Sequence, residues 1–102
     1  MKIANYIFQE VKYFNKPLQV NFVYEVIRPE ENSNEIHVTS YSKEMRVKEK
    51  TFKFITEKTD EEIKSYFDNK FKEYEEKLSK QNFIGSGKTL AKFGREFQLF
   101  FK

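Results

Sequence analysis

Residues 59–81 read TDEEIKSYFDNKFKEYEEKLSKQ. Ile63, Phe67, Phe71, Tyr74 and Leu78 recur every three or four positions, which places them on one stripe of a helix of period 3.6. Tyr66 flanks that stripe. Thr59 and Glu62 have the T-x-x-E spacing of a capping box, and Asp60, Glu61 and Glu62 put negative charge at the positive end of the helix dipole. Asp60/Lys64, Asp68/Lys72, Glu73/Lys77 and Glu76/Lys80 are acid-before-base pairs four apart, each worth about 0.2–0.5 kcal/mol on an exposed helix. A helix over 59–81 with one apolar face needs a surface to cover, and the rest of the chain has to supply it.

Upstream, residues 18–27 (LQVNFVYEVI) alternate: Leu18, Val20, Phe22, Tyr24 and Val26 on one side, Gln19, Asn21 and Glu25 on the other. This is the period of a half-buried strand. Pro29 and the polar run that follows it mark a loop. A second strand is expected over 35–42, with Ile36 and Val38 inward and His37, Thr39 and Tyr41 outward. Residues 44–57 carry Met45, Val47, Phe52 and Phe54, whose phase changes midway. A bulge or turn near Glu49–Lys50 is therefore expected, splitting the stretch into one irregular strand or two short ones.

The ends read as helices. Ile3, Ile7, Val11 and Phe14 form a stripe over 2–14, with Ala4 and Phe8 beside it, ended by Asn15 and Pro17. At the other end Gly85 and Gly87 suggest a loop, with a last helix from about Thr89. Leu90, Phe93, Phe97, Phe100 and Phe101 would share its inner face, and Lys88, Lys92, Arg95 and Lys102 the opposite one. Phe97, Leu99 and Phe101 also alternate, so a terminal strand at 96–101 competes with that helix. The expected fold is α+β, one domain spanning 1–102. It has an N-terminal helix, a three- to four-stranded antiparallel meander, the long helix on one sheet face and a short basic C-terminal helix or strand.

Composition limits the chemistry. The 102 residues include no cysteine and one histidine, which excludes disulfides, thiolate metal sites and thiol nucleophiles. His37 has no evident nucleophile and orienting partner, and the acidic loop Glu30, Glu31, Asn32, Asn34, Glu35 lacks the spacing of a calcium loop. No enzyme activity, metal or cofactor is expected. GSGKT at 85–89 resembles the end of a phosphate-binding P-loop, but the full motif requires glycine where this chain has Asn82. A narrower expectation is that backbone donors at Gly87–Thr89 with Lys88 hold a phosphate. The opening MKIANYIFQE is too polar for a signal peptide, and no apolar run reaches the ~20 residues of a membrane span, so a cytoplasmic location is expected.

Net charge is +3, too small for a strongly basic nucleic-acid binder. The whole of it is matched by residues 82–102, where Lys88, Lys92, Arg95 and Lys102 face one acid, Glu96. A second basic set, Arg46, Lys48 and Lys50 with Lys43 and Lys53 nearby, is expected on the open side of the sheet beside His37 and Tyr41. Either set suits an acidic protein surface or nucleic-acid phosphate. Twelve phenylalanines and six tyrosines exceed what a small core needs, and surplus rings serve as interface anchors.

In size and in its richness in lysine and phenylalanine, the chain is similar to short accessory proteins of phages and mobile elements in low-GC bacteria. That resemblance implies a binding protein that inhibits or redirects host machinery, as anti-CRISPR proteins do, and transfers no site residue. A larger protein or ribonucleoprotein is the expected partner. Direct nucleic-acid binding through the basic C-terminal helix is the alternative.

Overall fold

The computed structural model describes residues 1–13, 16–42, 44, 47–81 and 83–102, without the side chains of 13, 47, 48, 83 and 84. Four strands, β1 (Lys2–Tyr13), β2 (Lys16–Ile27), β3 (Glu35–Ser42) and β4 (Val47–Ile55), precede two helices, α1 (Asp60–Ser79) and α2 (Phe83–Phe100). The strands form one antiparallel sheet in the order β1-β2-β3-β4.

The expected N-terminal helix over 2–14 is instead β1; Phe14 and Asn15 lie outside the described residues. The ladder to β2 decides the matter, and Phe8 at 1% and Ile7 at 37% exposure lie on opposite faces of the strand. Ala4, Tyr6 and Phe8 pair with Val26, Tyr24 and Phe22, and the register then shifts between Phe8 and Glu10 before Val11 pairs with Leu18. The shift changes the phase, so the buried residues Ala4, Phe8 and Val11 stand four and three apart. That is also the spacing of a helix stripe. What tips the balance to strand is the run of branched and aromatic side chains, Ile3, Tyr6, Ile7, Phe8, Val11 and Tyr13, together with a ladder to β2 that satisfies the backbone donors and acceptors.

β2 and β3 have the expected faces from Val20 onward, with Val20, Phe22, Tyr24, Val26, Ile36 and Val38 buried, but Leu18, expected with them, is exposed. β4 is one strand, with a register shift where Lys50 pairs with Ser40 but Val47 with Ser42. The phase change in the sequence reflects that irregularity.

α1 begins where the capping residues indicate. The Thr59 hydroxyl accepts a hydrogen bond from the Glu62 amide at 3.2 Å, and Ile63, Phe67, Tyr74 and Leu78 are fully buried. Its rings meet β1: Phe71 lies 4.8 Å from Phe8 and 4.9 Å from Tyr6, centroid to centroid. α2 sends Phe93 to within 4.8 Å of Tyr24 and Phe97 to within 5.4 Å of Phe52. The two helices run antiparallel, with Tyr66 stacked on Phe100 at 3.9 Å and Tyr74 set edge-on to Phe93 at 5.0 Å.

The core takes up most of the described aromatic residues. Phe8, Phe22, Phe67, Phe93, Phe97 and Phe101 are buried, and Phe52, Phe54, Phe71 and Phe100 lean on them. Among the described residues Tyr41 is an exposed ring, and the other exposed large apolar side chains are Met1, Ile7, Leu18, Ile55 and Leu99; the rings of Tyr13, Phe14 and Phe83 lie outside the described residues. With four strands and two helices to separate, the core needs wide side chains, and rings of 150–250 Å² supply them.

Candidate functional site

α2 starts at Phe83, earlier than the glycines suggested, and the C-terminal stretch is helix rather than strand. Gly85 and Gly87 are therefore helical, not loop. This overturns both phosphate readings of GSGKT. From Gly87 onward the backbone amides sit past the first helical turn, where N–H groups bond back to carbonyls four residues earlier. Ser86 and Thr89 are buried, and the Thr89 hydroxyl donates to the Gln81 side-chain carbonyl.

The helix does sort its remaining residues as the sequence suggested. Phe93, Phe97 and Phe101 are buried, while Lys88, Lys92, Arg95 and Lys102 are exposed. Among the described residues none of these four cations joins an ion pair, although Lys92 contributes to the field on Glu96. Leu99 stands among them and is 65% exposed. At 1.5 Å of rise per residue, Lys88 to Arg95 spans about 10 Å of helix.

α1 handles charge differently. Lys64 reaches Asp68 at 2.9 Å, Lys77 reaches Glu73 at 3.3 Å and Lys80 reaches Glu76 at 3.2 Å. Lys70 crosses to Glu96 of α2 at 3.2 Å. Burial pushes Glu96 up, but the Tyr74 hydroxyl and the Lys70 ammonium outweigh it and hold the carboxyl below its ordinary range. Asp68 is held low first by the Tyr6 hydroxyl, which donates to it, and then by Lys64. Asp60, expected to pair with Lys64, instead takes Arg28, whose Nη2 and Nε lie 2.7 Å and 3.0 Å from Oδ1.

Of the second basic set Arg46, Lys48 and Lys50, the structure describes only the Lys50 side chain. Arg46 and the Lys48 side chain lie outside the described residues, as does Lys43. Lys50 follows the phase of Phe52 and Phe54 and so stands on the helix side of the sheet, not on the open side with His37. Its ammonium lies 4.7 Å from the centroid of the Phe52 ring. Lys53, paired with His37, remains on the open side. His37 is half-buried there, with Nε2 3.2 Å from a Glu35 carboxylate oxygen. No cluster of potential metal ligands occurs among the described residues, and none of the helices there is long and apolar enough to cross a membrane.

Lys50 has a role that sequence reasoning missed. A groove of about 400 Å³ runs between α2 and the sheet, and Lys50 and Arg95 both line it. Phe22, Tyr24, Phe52, Leu90 and Phe97 form its apolar walls, and Gly87, Ala91 and Gly94 its helix side. The groove exists because α2 reaches the sheet through long rings while its residues at 87, 91 and 94 are small. The spacing of four and three in that small-residue stripe is the one signal in the sequence that could have indicated it. No protein-family model matches this chain, and no curated protein or solved structure matches it either.

Proposed function

We propose that the protein is a small non-enzymatic binding protein that sets the outer face of α2 on an acidic surface of a larger protein or ribonucleoprotein. It would act by occupying that surface, in the manner of the anti-defence and host-takeover factors of phages and mobile elements. The observation that carries this reading is the contrast in charge pairing. The α1 lysines Lys64, Lys70 and Lys77 have carboxylates within reach, whereas Lys88, Lys92, Arg95 and Lys102 have no ion pair among the described residues. Unpaired exposed cations steer and orient an acidic partner without first breaking a bond. Leu99 in their midst offers an apolar anchor inside a polar rim, the usual anatomy of a protein interface.

A second reading rests on the same residues: three cations along about 10 Å of helix also suit a run of phosphates. Binding of that kind would fall with salt, at a slope near −0.9 per phosphate neutralised on duplex DNA, and would show little base preference.

One experiment separates the two. The wild-type protein and a Lys88→Glu/Lys92→Glu/Arg95→Glu variant serve as bait in bacterial lysate, with and without nuclease, alongside anisotropy with labelled single-stranded and duplex DNA and RNA. A defined protein retained by wild type after nuclease and lost by the folded variant supports the leading reading. Salt-sensitive nucleic-acid binding lost in the variant supports the second. Equal behaviour of wild type and variant in every arm removes α2 as the interface.

A further inference from the structure

The groove beside α2 has the composition of a ligand site. Its volume, about 400 Å³, lies in the lower part of the range for small-molecule pockets, which join apolar walls to a few placed polar groups. Here the walls are rings, and the polar residues along them are Lys50, Arg95, Gln98, Ser40, Tyr24 and Tyr41. No acidic residue lines it among the described residues, so the two cations face an uncompensated site.

Tyr24 adds an independent observation. It is 6% exposed and lines the groove, yet its described neighbours are the rings of Phe8, Phe93 and Phe97. Burial among these rings pushes its pKa upward, so the hydroxyl stays neutral beside the groove.

The space itself is open to filling. A Cβ built on Gly87 meets nothing within 4 Å, and one on Gly94 meets only the edge of Phe97 at 3.9 Å. The glycines therefore are not forced by close packing of the helix on the sheet.

We infer that the groove between α2 and the sheet binds a small apolar monocarboxylate, its hydrocarbon body against Phe22, Phe52 and Phe97 and its carboxylate between Lys50 and Arg95. A guanidinium matches a carboxylate in a planar, two-pronged geometry, and the ring walls exclude water from the rest.

Decanoate is a suitable probe, with decanol as its uncharged equal in length, each titrated into ¹⁵N-labelled protein and followed by amide NMR shifts. The expected result is saturable shifts confined to Ser40, Lys50–Phe52 and Gly87–Gly94. Decanol is expected to bind about tenfold more weakly, as is decanoate to a Lys50→Ala variant, because each lacks a charge-assisted contact. Gly87→Leu should abolish binding while leaving the spectrum folded, and Lys80→Ala, away from the groove, should leave binding unchanged. Equal binding of decanol and decanoate, unimpaired binding to the folded Gly87→Leu variant, or no saturable shift at millimolar decanoate would each overturn the proposal.

Discussion

α1 and α2 are nearly equal in length and send rings into one core, yet they treat their other residues in opposite ways. α1 ties most of its charges down, Asp60 to Arg28, Asp68 to Lys64 and Tyr6, Glu73 to Lys77, although Lys72 is exposed without an ion pair among the described residues. Its spacing to β1 is filled by Tyr6, Phe8 and Phe71. α2 leaves Lys88, Lys92, Arg95 and Lys102 without ion pairs among the described residues, exposes Leu99, and leaves a groove under Gly87, Ala91 and Gly94. On the proposed reading α1 is the scaffold and α2 the binding element.

The two arginines that the structure describes test this most severely. Arg28 is 8% exposed; it pairs with Asp60, and its Nη1 also donates to the Ser33 carbonyl, so it ties the end of β2 to the start of α1. Arg28→Ala would leave Asp60 partly buried without its cation and the Ser33 carbonyl without its donor. A loss of about 2–4 kcal/mol is expected, read as a lower midpoint in urea unfolding. Arg95→Ala should change the same midpoint by less than about 0.5 kcal/mol, as surface substitutions do. Comparable losses from the two would erase the distinction between the helices.

Much of this contrast was open to sequence reading where one element carries it alone. α1, β2 and β3 each have a single uninterrupted period, and the inward sets Ile63/Phe67/Tyr74/Leu78 and Val20/Phe22/Tyr24/Val26 follow from it. β1 failed because a register shift at Phe8/Glu10 gives a strand the spacing of a helix. The start of α2 failed because Gly85 and Gly87 carry turn signals that tertiary packing overrode. The groove had one signal in the sequence, the small residues Gly87, Ala91 and Gly94. Lys50 and Arg95 lie 45 positions apart in the sequence, and only the fold brings them to one groove.

Gly87 offers a smaller and opposite effect. It is exposed, lies inside α2, and has open space where a Cβ would stand. Gly87→Ala should stabilise the protein by about 0.5–1 kcal/mol, since alanine loses less backbone entropy on entering a helix. The measurement is again the urea midpoint. A gain would mean that glycine is kept here against stability, as residues serving a site often are. A loss would mean that the groove is less open than its lining indicates, and would weaken the contrast with α1.

The smallest expected effect concerns pH, and it belongs to the α1 side. Asp68, Glu73 and Glu96 are all held below the ordinary carboxylate range in the folded protein. Unfolded carboxylates take up protons near pH 4, so as pH falls the unfolded chain binds protons before these groups do. Their contribution is present above about pH 4 and is lost as pH drops through their folded values. At the other end Tyr6 and Tyr74 are pushed upward by burial and by Asp68 or Glu96, and Lys70 is raised by Glu96 and Glu73 against the opposing pull of its own burial. Their contribution is present below about pH 10 and is lost as pH rises through the folded values. The Asp68 side chain is 40% exposed, and solvent screening limits its share to under about 0.5 kcal/mol. Asp68→Asn should therefore flatten the acid limb of stability against pH only slightly, a change resolvable by comparing urea midpoints at pH 3 and pH 6. An Arg95→Ala variant, with no carboxylate partner to release, should leave that limb as it is. If it flattened the limb as much as Asp68→Asn does, Arg95 would have a partner in solution and the outer face of α2 would not be unpaired.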